Sequence, residues 1–147
     1  MPVEIESILR ASELRYSKDV DPENGETYSI PFASSHGTYV VNVTSLQDVL
    51  GIGAFLRTLD SIALLGSTRD LLKALLRLNC RNGFARVALV SGGDEAEWII
   101  VEASLPSAVT PQLAQWAIQD TAWLAQQVLD IIAAQATPAQ QHAVHQP

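Results

Sequence analysis

The segment TPQLAQWAIQDTAWLAQQVLDII, Thr110 to Ile132, most constrains what this chain can become. At about 100° per residue, Leu113, Ala117, Leu124, Val128 and Ile131 fall on one arc of a helix. Ile118, Ala122, Ala125, Leu129 and Ile132 carry that arc around the far side. Thr110 is placed to cap this helix, with Pro111 at its first position, where proline has no N–H to waste. The remaining face holds Gln115, Gln119, Gln126, Gln127, Asp120 and Asp130. Trp116 and Trp123 fall among those polar residues, seven positions apart on one line. Two explanations compete. Either the helix is sandwiched and the tryptophans are core, or they project as contact residues. The pattern leaves both open.

The rest of the chain alternates between the two periodicities. Val3 to about Lys18 has apolar residues at helical spacing, Ile5, Ile8, Leu9 and Leu14. DPENGE (Asp21 to Glu26) is a turn. TYSIPFAS and TYVVNVTS read as strands around the turn Ser35 to Gly37, with Pro31 requiring an edge or a bulge. VLGIGAFLRT, Val49 to Thr58, contains two glycines but no nucleotide fingerprint. A dinucleotide motif needs a third glycine where Leu56 stands, and a P-loop needs Gly-Lys-Ser/Thr. Read with period two, Leu50, Ile52, Ala54 and Leu56 share one face, and Val49, Gly51, Gly53 and Phe55 share the other. Glycines there let something bulky approach closely. Ser67 or Thr68 can cap a helix RDLLKALLRLN, whose Arg69, Lys73 and Arg77 form a basic stripe. FARVALVS and EWIIVEASL then make a hairpin through GGDEA.

These elements predict an α+β fold: an antiparallel five-stranded sheet with three helices, in the order α-β-β-β-α-β-β-α. Residues 1–135 form one domain, and residues 136–147 a flexible tail.

Charge and cysteine usage narrow the function classes. The net charge is −7, which repels nucleic acid and anionic membranes. Cys80 is the single cysteine, no intrachain disulfide is possible, and the N-terminus lacks a signal-peptide pattern; a cytoplasmic protein is expected. The stripe Arg69, Lys73, Arg77, with Arg81 beyond it, lacks interleaved aromatics. Salt-bridging to the acidic N-terminal segment, in the same or a second chain, is its expected use.

No reacting constellation emerges. His36 lies in a turn and His142 and His145 in the tail, with no further ligand nearby. Cys80 reads as a buried structural cysteine, Glu95 and Glu97 as solvated hairpin charges, and Asp120 and Asp130 as carboxylates isolated from bases. A non-enzymatic protein is expected.

With its helix–three strands–helix–two strands–helix order, LLKALLRLN (Leu71 to Asn79) leading into GFARVAL, and SLPSAVTPQLAQWAIQDTAWLAQQ, the chain resembles the YbjN-like family, which shares its fold with class I chaperones of type III secretion. The resemblance implies a non-enzymatic protein, often a homodimer, that binds segments of other proteins, and it implies no catalytic residue. The tryptophan pair has no counterpart in it. From these readings a client protein or peptide is expected to meet Trp116, Trp123, Gln119, Gly51, Gly53 and Phe55. A homodimer is expected through Arg69, Leu72, Lys73, Leu76 and Arg77, because the two apolar helices offer more surface than one small sheet covers. The alternative is a regulatory or sensory domain that holds a small molecule against the glycine face. The chain is expected to use no metal or nucleotide. Stoichiometric zinc in metal analysis, or a thermal shift with ATP or NAD, would contradict that expectation.

Overall fold

The computed structural model describes residues 3–23, 25–63, 68–93 and 96–135. The tail, with His142 and His145, and also Ser67, Asp94 and Glu95, lie outside the described residues. The chain runs α1 (Ile5–Ala11), β1 (Ser17–Asp21), β2 (Gly25–Ser34), β3 (Gly37–Leu46), β4 (Val49–Thr58), α2 (Leu59–Ala63), α3 (Thr68–Arg77), β5 (Arg86–Ser91), β6 (Glu97–Pro106) and α4 (Pro111–Ala134). The six strands form one sheet in the order β1-β2-β3-β4-β6-β5, every neighbouring pair antiparallel.

The expected α+β class and antiparallel sheet are present, with two additions. Among the described residues the sheet has six strands rather than five, and there are four helices rather than three. The sixth strand, β1, is SKDVD, exposed at four positions and half-buried at the fifth, so no apolar alternation marks it. It exists because the edge of β2 is open to pair with it. The added helix, α2, is five residues with a single buried side chain, Ile62. The first helix stops at Ala11 rather than Lys18. Glu13 adopts a left-handed φ of 56°, which a continuing helix does not allow. Pro31 sits in an inner strand, yet β1 reaches only as far as Ser29, so the proline faces a local edge as its missing N–H requires.

All helical packing falls on one face of the sheet. That face carries Tyr28, Ile30, Tyr39, Val41, Val43, Leu50, Ile52, Ala54, Ile99 and Val101, all buried. Helix α4 crosses it against β3, β4 and β6 and touches α1 and α3 at its flanks. Its buried positions include Ala114, Ala117, Ile118, Thr121, Leu124, Ala125, Val128, Leu129 and Ile132. The alanines let the helix lie low on the sheet, and the Tyr39 hydroxyl donates to the Ala122 carbonyl at 2.8 Å, fixing the crossing. The Thr110 side chain accepts from the Leu113 N–H, as the capping pattern requires. Helix α1 is tied to the first hairpin by polar contacts. The Tyr16 hydroxyl donates to Glu6 at 2.8 Å, and that bond, with Arg10 and Lys18 nearby, holds the Glu6 carboxyl below its ordinary range.

Among the described residues no layer covers α4 from outside. Trp116 and Trp123 are each 51 % exposed, so the sandwiched arrangement is not adopted. Leu124, on the same helix, is fully buried. Leu124→Ala is expected to cost about 2–5 kcal/mol of folding stability, and Trp116→Ala under about 1 kcal/mol. Urea midpoints of the two variants check this contrast.

Candidate functional site

The residues expected to meet a partner do not form one surface. Gly51, Gly53 and Phe55 lie on the sheet face that no helix among the described residues covers. Trp116, Trp123 and Gln119 lie on the outer side of α4, across the thickness of the molecule. Arg69, Lys73, Leu76 and Arg77 are exposed on α3, while Leu72 is half-buried against the core.

The open sheet face is organised in rows that run across the strands. One row is Ser29, Asn42, Gly53, Glu102 and Arg86 on β2, β3, β4, β6 and β5. The Ser29 hydroxyl donates to Asn42 Oδ1 at 2.8 Å, and Arg86 pairs with Glu102 at 3.0 Å, so the polar side chains on both sides of Gly53 are already satisfied. The next row is Thr27, Thr44, Gly51 and Ser104, with the two threonine hydroxyls 3.2 Å apart. Between these walls, β4 presents bare backbone. At one end of the strip Phe55, 55 % exposed, meets Trp98 edge-to-face at 5.7 Å over buried Ile100. From Asn42 and Thr44 on β3 across to Arg86 on β5, and with Phe55 and with Phe84 from the loop before β5, these rows line an open concavity of about 930 Å³.

The glycines have no internal reason to be there. Gly51 and Gly53 do not adopt the left-handed φ seen at Gly25 and Gly37. A Cβ at Gly51 would lie 3.8 Å from the Thr44 carbonyl oxygen, and at Gly53 3.5 Å from the Val101 carbonyl oxygen, both ordinary contacts. Glycine inside a strand weakens it, so the strip is a local cost that the chain's own packing does not require.

The second surface centres on Asp120, which is not isolated from bases as its sequence context implied. Its carboxylate accepts from the Arg81 guanidinium, from the Phe84 N–H at 2.9 Å and from the Ala85 N–H at 2.8 Å. Arg81 also lies 4.9 Å over the Trp123 ring. One carboxylate thus clamps the 81–85 loop to α4, holds Phe84 at the rim of the sheet concavity and props Trp123. Asp130 is likewise paired, with His36 at 2.9 Å. Cys80 is exposed rather than buried, because α3 has already ended and the chain is turning toward β5. Among the described residues Arg69, Lys73 and Arg77 make no ion pair; the N-terminal acids Glu6 and Glu26 are instead bridged by Arg10 and Lys18.

Trp98, Phe84 and Arg81 are the contributors that sequence reasoning left out of these surfaces. Trp98 was findable. Alternation in EWIIVEAS places it with Ile100, Glu102 and Ser104, opposite Ile99, Val101 and Ala103. The Arg81–Asp120 contact spans 39 residues and has no local signal.

Among the described residues no group of three metal-ligating side chains comes together, and no helix is long and apolar enough to cross a membrane. No known family profile matches the chain, and no curated protein matches it. Solved structures do. YbjN, a proposed transcription regulator from E. coli, superposes with a TM-score of 0.63 over 89 % of this chain and 90 % of that one, at 15 % identity. An uncharacterized protein from Methanothermobacter thermautotrophicus gives 0.64 over 90 % and 96 %, at 12 % identity. The chain therefore has a YbjN-like fold.

Asp120→Ala leaves the Arg81 guanidinium and two loop N–H groups without their acceptor. It is expected to destabilise the fold by roughly 1–3 kcal/mol and to speed amide exchange at residues 84 and 85 selectively. Hydrogen exchange measured by NMR checks the second effect.

Proposed function

We propose that this protein is a non-enzymatic binding protein, a chaperone or adaptor that takes a segment of a client polypeptide on its open sheet face. The observation that carries this reading is the bare strip Gly51–Gly53. It weakens a central strand, it is required by neither backbone conformation nor internal packing, and it opens the floor of a concavity. Asn42 and Glu102, on either side of Gly53, stand two strand spacings apart, about 10 Å. That width suits a helix of about 10–12 Å diameter straddling the strip. Phe55 and Phe84 supply the exposed aromatic surface on which binding energy concentrates, with half-buried Trp98 backing Phe55 edge-on. The satisfied Ser29–Asn42 and Arg86–Glu102 pairs form a polar rim with little desolvation cost left to meet.

A second reading is a regulatory domain with a small ligand in the same concavity. Its volume lies within the range of ligand sites, about 300–1,000 Å³, but its wide mouth buries a polypeptide segment better than an isolated small molecule. Native mass spectrometry of freshly purified protein separates the two, through a retained small mass or a client polypeptide.

Gly53→Val is the decisive substitution. A Cβ there makes only an ordinary contact, 3.5 Å from the Val101 carbonyl oxygen, and valine suits a strand, so the urea midpoint is expected to hold or rise, while client capture falls about tenfold or more. Affinity capture by tagged wild-type and variant protein, with mass-spectrometric identification of what is lost, gives the readout. A variant that loses its midpoint, or keeps the same client at the same level, contradicts this use of the sheet face.

A further inference from the structure

Arg57, near the end of β4, stands where strand alternation would not put it. Strict period two sets residue 57 on the open sheet face, in line with Gly51, Gly53 and Phe55. A β-bulge intervenes. Phe55 pairs with Ile100, Leu56 has no partner in β6, and Arg57 takes the place opposite Ile99 that Leu56 would have held. Residues paired across an antiparallel ladder share a face, and Ile99 is fully buried on the helical face. The bulge therefore turns Arg57 away from the concavity, whose lining residues do not include it. Both β4 and β6 are inner strands, so this bulge does not blunt a sheet edge. The other common use of a bulge is to re-aim a side chain beside a site.

The re-aimed side chain is a half-buried cation that no acid meets. Arg10, Lys18, Arg81 and Arg86 each have a carboxylate partner. Arg15, Arg69, Lys73 and Arg77 are exposed, where an unpaired charge costs nothing. Among the described residues only Arg57 is half-buried and makes no ion pair. Glu97, two positions before Ile99 on β6, is exposed and does not bridge to it. Burial accordingly holds the Arg57 guanidinium below its ordinary pKa, with no carboxylate to offset the effect. A desolvated charge without a counter-ion works against the fold, and this chain of net charge −7 has carboxylates to spare. A methionine would supply the same apolar stem without that cost. We propose that Arg57 is an anchor for the carboxylate of a bound molecule.

The guanidinium is already oriented for this. Its Nη1 donates to the Leu56 carbonyl at 2.7 Å, on the residue that the bulge takes out of register. That bond sets the plane of the group. It leaves the Nε–Nη2 edge without an acceptor among the described residues. The two N–H bonds of that edge are parallel and match the two oxygens of a carboxylate. A phosphate dianion would bring a second negative charge with no second cation to meet it, on a protein that is already acidic. The carboxylate can come from a small organic acid, or from the C-terminus or an acidic side chain of a polypeptide; the recognition chemistry is the same. The anchor lies on the opposite side of the sheet from the glycine strip and does not rest on the use proposed for that strip.

Sodium acetate, titrated into the full chain against sodium chloride at matched ionic strength, tests the anchor with screening held equal. The Nε–H resonance of Arg57, identified by its loss in Arg57→Met, is expected to shift saturably with acetate, and less with phosphate. The urea midpoint of the wild type is expected to rise in acetate relative to chloride, because the bound anion favours the folded state. Arg57→Met is expected to show no such rise, and its midpoint in chloride to equal or exceed the wild type's. Arg57→Lys, which keeps the charge but not the fork, is expected to lose most of the acetate response; it guards against misfolding of the methionine variant. Absence of a saturable shift in the wild type, a response that survives in Arg57→Met, a larger response to phosphate, or a lower midpoint of Arg57→Met in chloride overturns the proposal. Native mass spectrometry then separates the sources. A small acid retained by the wild type and lost from Arg57→Met identifies a free ligand, and a captured polypeptide lost in the same way identifies a client. Gly53→Val is expected to leave the acetate response intact, so failure at the sheet face and failure at Arg57 are read separately.

Discussion

The burial of α4 on one face of the sheet is the constraint from which the other features follow. Leu124, Ala125, Val128, Leu129 and Ile132 are fully buried or nearly so against Leu50, Ile52, Ala54, Ile99 and Val101. Each of the leucine, isoleucine and valine side chains among them contributes about 1.5–3 kcal/mol relative to exposure. Because α1, α2 and α3 gather on the same side, the described residues make a two-layer structure with its opposite sheet face bare. A two-layer fold of this kind has two outer surfaces, one of helices and one of strands, and both here carry aromatic residues that the core does not use.

Asp120 connects those two surfaces mechanically. It belongs to α4, so its position is set by core packing. Through Arg81, Phe84 and Ala85 it holds the loop that curls around the sheet edge. Trp123 on one side and Phe84 on the other are therefore positioned by a single carboxylate. The half-buried ion pair is worth having because its charges are met by several hydrogen bonds at once, which offsets their desolvation.

Much of this was legible along the chain. The faces of β4 followed from its alternation, the β5–β6 hairpin from GGDEA, and the α4 cap from Thr110-Pro111. These are signals of neighbours in sequence, where periodicity reports burial directly. Elements too short or too polar to bury anything, β1 and α2, left no such trace. Asp120 and Asp130 looked unpaired because their partners, Arg81 and His36, lie 39 and 94 positions away in the chain.

The tryptophans show where sequence stops. By itself the sequence determined that Trp116 and Trp123 share one line on the polar side of an amphipathic helix, since helical geometry fixes angular position from residue number. It equally determined that Gly51, Gly53 and Phe55 share a strand face, since side chains alternate. Whether those faces are covered is a property of the layer beyond the helix or strand, and no residue within either reports it. Only the tertiary structure decided that every helix falls on one side of the sheet. That left the tryptophans at the solvent and the glycines bare, and it put the two sets on opposite surfaces, because one amphipathic sheet can bury only the face that α4 covers.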